Sequence, residues 1–242
     1  MKLRELFGSR KNGEPPRQDD RSEHQALRRL QKRGIPIQTV IDVGASNGCW
    51  SREMMQVYPQ AHYCCIEAKT EHEPALKEFK AVKPNVEFII AAAGDREGEA
   101  NFYSPPNEPF GGSARHTPFG RYNAVVPMVS IDGLCHTKQL APPYLIKLDT
   151  HGFEVPILDG AAKALEQTNL LIIETYNFRG RPEMLTFWEL CTRLEKQGFR
   201  CLDLMNPVHR PGDEVLFQVD LIFARATRPE FQCNYFRVPA AR

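Results

Sequence analysis

Neither sign of charge dominates this chain: 31 basic side chains stand against 30 acidic ones, a net charge of +1. That balance removes a global field for polyanions or anionic membranes, though a local patch stays open. Long hydrophobic runs are missing too. No apolar stretch approaches the roughly 20 residues that span a bilayer, and the opening Met1-Lys2-Leu3-Arg4 has no apolar signal core. The expectation is a cytoplasmic protein without a membrane span. Paired cysteines are absent: the seven cysteines form no Cys-x-x-Cys unit. An odd number scattered through apolar stretches speaks against a disulfide framework or zinc knuckle and for buried free thiols. Two glycine fingerprints do not occur, the dinucleotide Gly-x-Gly-x-x-Gly and the P-loop Gly-x-x-x-x-Gly-Lys-Ser/Thr. Internal repeats and low-complexity tracts are also lacking.

What is present is ordinary globular material, 42% apolar over 242 residues. That fills one large α/β domain or two small ones. Residues 1–36 are charged and rich in Arg, Lys, Gly and Pro. They are expected to form a helical extension, with a helix from Asp19 to Arg33 stopped by Gly34 and Pro36. Residues 37–242 are expected to form the main domain. There, short β-branched runs at Thr39–Val43, His62–Ile66, Val86–Ile90, Tyr144–Leu148 and Asn169–Glu174 alternate with helical stretches at Gly48–Tyr58, Glu71–Ala81, Phe153–Leu165 and Pro182–Gln197. Phe199–Leu204 and Phe217–Ala224 finish as a hairpin around Asn206–Glu214. Alternation of this kind predicts an α/β, Rossmann-like, seven-stranded sheet, mostly parallel with an antiparallel last strand and helices on both faces. Ser104–Asn123 interrupts the rhythm as a long loop, a candidate lid. Its Arg115, His116, Arg121 and Tyr122 are suited to hydroxyl-rich or anionic ligands.

The loop after the first strand carries the first chemistry. It reads Asp42-Val43-Gly44-Ala45-Ser46-Asn47-Gly48. Glycines let backbone approach a ligand closely, and the helix starting near Gly48 offers free N–H groups to a carboxylate. An acidic residue before the glycines repels a pyrophosphate but can hold an ammonium. S-Adenosylmethionine carries both an ammonium and a carboxylate, so this loop is expected to bind its methionine end. Glu67, closing the second strand, is placed to accept both ribose hydroxyls. NAD folds use the same position, so Glu67 alone does not separate the cofactors. Ala93 and Asp95, after the third strand, fall where an adenine would sit, and Asp95 also reads as a plain turn residue.

The second stretch is Lys147-Leu148-Asp149-Thr150-His151-Gly152-Phe153-Glu154. Asp149 ends the fourth parallel strand and Glu174 ends the next, so both should face one crevice. Burying two carboxylates costs energy unless they are paired. They could position a substrate hydroxyl, take its proton, or hold a divalent cation through oxygen ligands. His151 is the side chain best matched to proton transfer near neutral pH. Glu154 is a further catalytic candidate, although the helix dipole favours an acid at a helix start in any case.

Both stretches resemble the signatures of FkbM-type methyltransferases, the second being Ile146-Lys147-Leu148-Asp149-Thr150-His151-Gly152-Phe153-Glu154-Val155-Pro156-Ile157-Leu158-Asp159-Gly160-Ala161. The similarity runs from about Thr39 to Ala224. It implies a class I, S-adenosylmethionine-dependent fold and O-methylation of a hydroxyl on a sugar, glycan or secondary metabolite. Family members often carry Val-Gln or Val-Glu where Thr150-His151 stand here, so Asp149 is favoured over His151 as a shared catalytic residue. The expected partner is a small-molecule or glycan acceptor. Near-zero charge and the lack of an Asn-Pro-Pro-Tyr motif argue against nucleic acid. A nicotinamide-dependent oxidoreductase and a non-catalytic S-adenosylmethionine-binding protein are the rival readings.

Overall fold

The computed structural model describes residues 22–105, 111–118, 120, 123–182 and 184–234. Helix α1 (Glu23–Arg33) starts on Ser22, whose hydroxyl accepts the Gln25 N–H, and ends on Gly34 in a left-handed conformation. The expected start at Asp19 lies outside the described residues. Ala26, Leu27 and Leu30 form the buried stripe of α1. Arg29 forks onto Asp203 near the end of the chain. The helix is therefore packed into the core, and one of its cations pairs across the fold.

In chain order, β1 (Thr39–Val43), α2 (Cys49–Met54), β2 (His62–Glu67), α3 (Glu73–Val82) and β3 (Val86–Ile90) come first. Then come β4 (Ala92–Gly94), β5 (Gly98–Tyr103), β6 (Ser113–Arg115), β7 (Asn123–Ser130) and α4 (Ile131–Lys138). The last part is β8 (Tyr144–Leu148), α5 (Glu154–Asp159), α6 (Ala162–Glu166), β9 (Thr168–Tyr176), α7 (Phe187–Lys196), β10 (Phe199–His209) and β11 (Leu216–Arg225). Seven strands make the main sheet, ordered β10–β11–β9–β8–β1–β2–β3. β8, β9, β1, β2 and β3 pair in parallel, and β11 runs antiparallel to both β9 and β10. This is the expected mostly parallel α/β sheet with a reversed strand. All five residues of β1 and of β8 are buried, as central parallel strands covered on both faces must be. Val40, Leu145 and Ile172 pack under α1–α3, while Ile41, Ile146 and Ile173 pack under α4–α7. No helix among the described residues is long and apolar enough to cross a membrane.

Three expectations change. The helix expected over Phe153–Leu165 is two short helices that part at Gly160, where a Cβ would lie 2.0 Å from the Gly94 carbonyl oxygen. The chain bends there, and Asp132 accepts the N–H groups of Lys163 and Ala164 to start the second piece. The helix expected from Pro182 begins only at Phe187, where Thr186 and Glu189 form a reciprocal cap. Finally, the region after β3 builds a second sheet, β4–β7–β5–β6. The three-residue strands β4 and β6 are too short for sequence periodicity to show.

Candidate active site

The chain runs outward from β1 to β3, then returns to place β8 on the other side of β1. Strand order reverses between β1 and β8, and ligands of such sheets sit beyond the carboxyl ends at that reversal. A cavity of about 310 Å³ opens there, the size of a small-molecule site.

One end of the cavity is built from loop backbone and small side chains. Ala45, Ser46 and Gly44 line it. Gly44 has φ +76°, and a Cβ there would lie 2.1 Å from the Asp149 carbonyl oxygen. The Asp149 N–H donates to the Val43 carbonyl at 3.1 Å. The glycine lines the cavity, as expected, and is also required for two strand ends to touch. Gly48, left-handed at φ +78°, would collide with the Phe79 ring if it carried a side chain. The Asn47 side chain accepts the Cys49 N–H at 3.1 Å. Gly48 and Asn47 shape the turn into α2 and do not line the cavity.

Glu67 lines the cavity with 6% of its surface exposed. Its carboxylate accepts the Ser46 and Lys69 N–H groups, each at 2.7 Å. A carboxylate has about four acceptor sites, so capacity remains for a ligand. Ala91, Ala92 and Ala93 form a smooth wall nearby with Phe102 of β5. Asp42 and Asp95, like Asn47 and Gly48, do not line the cavity. Asp42 is wholly buried and off the cavity wall: it accepts from Ser51 at 2.7 Å and pairs with Lys147 at 3.4 Å. A buried carboxylate needs such partners, and the Lys147 ammonium already balances its charge. Asp95 also lies off the wall and pairs with Arg96 at 2.7 Å.

The other end is built from ionisable side chains. Ile173 sits opposite Leu148 and Asp220 opposite Glu174, so Asp149, Glu174 and Asp220 form one row along the sheet edge. Lys147, two residues before Asp149 and on the same face, donates to the Asp149 carboxylate at 3.1 Å. Burial pulls the Lys147 ammonium down, but Asp42 and Asp149 outweigh it and hold the group above the ordinary lysine range. Burial raises Asp149, yet Lys147 and His151 carry its carboxyl below the usual value. Burial and repulsion from Asp149 push Glu174 the other way, to about 9. Near neutral pH, Asp149 is therefore ionised and Glu174 protonated. Two carboxyls driven apart in this way take different chemical roles. Tyr176 and Gln218 donate to the Glu174 oxygens and fix their orientation.

His151 completes the group with φ +54° on the turn after β8. Its Nδ1 lies 2.8 Å from the Gly112 carbonyl, which can only accept. Nδ1 therefore carries the proton, and in the neutral ring Nε2 keeps its lone pair. Nε2 lies 3.6 Å from an Asp149 oxygen and 3.7 Å from a Glu174 oxygen. Glu154 does not reach the cavity. It accepts from the Gly152 N–H at 2.8 Å and from Thr150 at 3.1 Å, so it braces the turn that presents His151.

The ligand atoms of Asp149, His151 and Glu174 lie within 4.8 Å of one another, a spacing a divalent cation could bridge. The surroundings do not fit one. Lys147 already supplies the positive charge at Asp149, and a dication would stand beside that buried ammonium.

A sequence model of the methyltransferase FkbM domain matches residues 42–201. The chain belongs to this methyltransferase family. The match begins at Asp42 and takes in both the glycine loop and the Asp149–Glu154 turn. No curated protein sequence matches significantly. Among solved structures, a provisionally assigned RNA methyltransferase of Pyrococcus horikoshii shares 15% identity, with 83% of each chain covered and a TM-score of 0.44. The precorrin-6y C5,15-methyltransferase of Geobacter metallireducens shares 13% over 83% of this chain and 86% of its own, TM-score 0.41. The Burkholderia thailandensis 1,6-didemethyltoxoflavin-N1-methyltransferase, solved with its substrate and S-adenosylhomocysteine, shares 13% over 84% and 79%, TM-score 0.43.

Several cavity residues had no role in the sequence reading. Glu23 of α1 and Asp220 of β11 line the ionisable end, and both fall outside the segment matched to the family. Trp50 lines the same end, with the Lys147 ammonium 5.2 Å from its ring. One signal was readable: Lys147 is a lone charge in the apolar run Tyr144–Leu148. Of the expected lid, Gly111, Gly112 and Ala114 line the cavity. Arg115 lies over the Tyr103 ring and His116 packs on Phe153, and neither lines the cavity. Arg121 and Tyr122 lie outside the described residues.

Proposed function

We propose that the chain binds S-adenosylmethionine between the Gly44 loop, Glu67 and the Ala91–Ala93 wall, and methylates a hydroxyl of a small-molecule or glycan acceptor held at the ionisable end. The charge of the wall carries this reading. Six carboxyl side chains line the cavity (Glu23, Glu53, Glu67, Asp149, Glu174, Asp220) against two lysines, Lys69 and Lys147, and even with Glu174 holding its proton the carboxylates outnumber the ammonium groups. Lys147 is already held by Asp42 and Asp149. Such a wall disfavours the pyrophosphate of a nicotinamide dinucleotide and the backbone of a nucleic acid, and it favours a sulfonium. The non-catalytic alternative leaves the Asp149–His151–Glu174 grouping without a purpose.

S-Adenosylmethionine supplies a methyl group already activated on a sulfonium. This chain's residues then have three tasks. Glu67 and the Ser46 loop orient the nucleoside end. Glu174, protonated and braced by Tyr176 and Gln218, positions the acceptor oxygen. His151 Nε2 takes the hydroxyl proton, and ionised Asp149 stabilises the imidazolium that forms. Holding reactants in line is worth about 7–11 kcal/mol, and a placed base contributes about 10²–10⁴-fold.

Calorimetric titration should show S-adenosylmethionine binding and no NADH binding. Incubation with methyl-labelled S-adenosylmethionine and fractionated glycan and metabolite extracts should put base-stable label into a neutral or cationic fraction. NADH binding in place of S-adenosylmethionine, or label confined to RNA, overturns the reading.

A further inference from the structure

A strap of chain forms part of the cavity wall, and a side chain from outside the cavity is bonded to it. Gly111 and Gly112 lie on the cavity wall, and β6 continues the strap by pairing Ser113–Arg115 with β5. The guanidinium of Arg181, beyond the end of β9, donates from Nη2 to the Ser113 hydroxyl and to the His151 carbonyl, both at 2.9 Å. The Ser113 hydroxyl donates to the same carbonyl at 3.1 Å. The strap is thereby tied to the backbone of His151, while the His151 ring donates from Nδ1 to the strap's Gly112 carbonyl at 2.8 Å.

The place for the guanidinium is built into the turn. Gly152 has φ +100°, and a Cβ there would lie 2.4 Å from Arg181 Nη2. Any other residue at 152 would meet both backbone strain and the arginine. His151 itself stands at φ +54°. A non-glycine residue in that region persists only where its surroundings hold it, and two donors on its carbonyl do so here.

We propose that Arg181 is a positioning residue that sets the tautomer of His151. By clamping strap and turn together, it keeps the Gly112 carbonyl against Nδ1, which fixes the proton there and leaves the Nε2 lone pair facing Asp149 and Glu174. The consequence for methyl transfer rests on the base role proposed above; the tautomer itself does not. Arginine suits the task because its rigid fork reaches several acceptors at once, which the single ammonium of lysine does not.

The test uses the full-length protein labelled with ¹⁵N, and long-range ¹H–¹⁵N correlation of the imidazole rings at a pH where they are neutral. The His151 signals are identified by their loss in His151→Gln. Wild type should show a single Nδ1–H tautomer at His151. Arg181→Met should lose it, moving toward the Nε2–H form that free histidine prefers. The other six rings and the affinity for S-adenosylmethionine should stay unchanged. Arg181→Lys should restore the wild-type pattern only in part. An Nε2–H tautomer in wild type overturns the proposal, and so does an Nδ1–H signal that survives Arg181→Met. Should Arg181→Met fail to fold, Ser113→Ala removes one anchor of the strap and should raise the Nε2–H fraction; no change there also overturns it. Because this readout needs no acceptor, its failure is distinct from failure to transfer methyl groups.

Discussion

The two ends of the cavity are made of different material. Around Gly44, Ser46 and Glu67 the polar groups satisfy one another through backbone, and the wall is glycine and alanine. Around Asp149, His151 and Glu174 the groups are ionisable side chains whose proton affinities are pushed apart. The first end can recognise a ligand without changing its own state. The second can exchange a proton.

The sharpest way to test that division is to remove the proposed base alone. His151→Gln should lower turnover by about 10²–10⁴-fold while the calorimetric affinity for S-adenosylmethionine stays at the wild-type value. Equal losses in both would merge the two ends into one functional unit. Next in size is Gly44→Ala. It forces a Cβ into the Asp149 carbonyl at positive φ, and overpacking with left-handed strain should cost about 2–5 kcal/mol in denaturant unfolding. Since Asp149 must move, this change at the first end should also damage the second.

Glu67→Gln tests the first end by itself. Losing hydrogen bonds to a charged group costs about 1.5–3 kcal/mol, so affinity for S-adenosylmethionine should weaken by roughly tenfold to a hundredfold, with turnover at saturation little changed. Glu174→Gln is read on stability against pH. The folded protein holds the Glu174 proton up to about 9, against an ordinary 4.5. That contribution to stability is complete below about 4.5 and lost as pH rises through about 9. Glutamine does not titrate, so the melting temperature of the variant should gain on wild type across that window and level off above it. A difference independent of pH would mean that Glu174 is ionised throughout.

Much of this was legible along the chain. β1, its glycine loop and Glu67 lie within one strand–helix–strand unit, and Asp149 and Glu174 end two successive strands, so local pattern locates them. Asp42 misled for the same reason. Its position beside the glycines implies a ligand, but Lys147 from another strand takes its charge. Glu154 likewise sits next to His151 in sequence and turns inward to hold Gly152 and Thr150. Ser113 and Arg181, which grip the His151 turn, are separated from it by 38 and 30 positions, and nothing in their own neighbourhoods marks them.

The sequence by itself determined the alternation of strands and helices, the parallel sheet, the family and the edge at which chemistry gathers. These follow from hydrophobic periodicity and glycine placement, which act over a few residues. Only the tertiary structure decided which carboxylate is neutralised, which keeps its proton, and which nitrogen of His151 is free. Those outcomes depend on burial and on partners brought in from distant strands, and the charge of a buried group is set by what surrounds it in space.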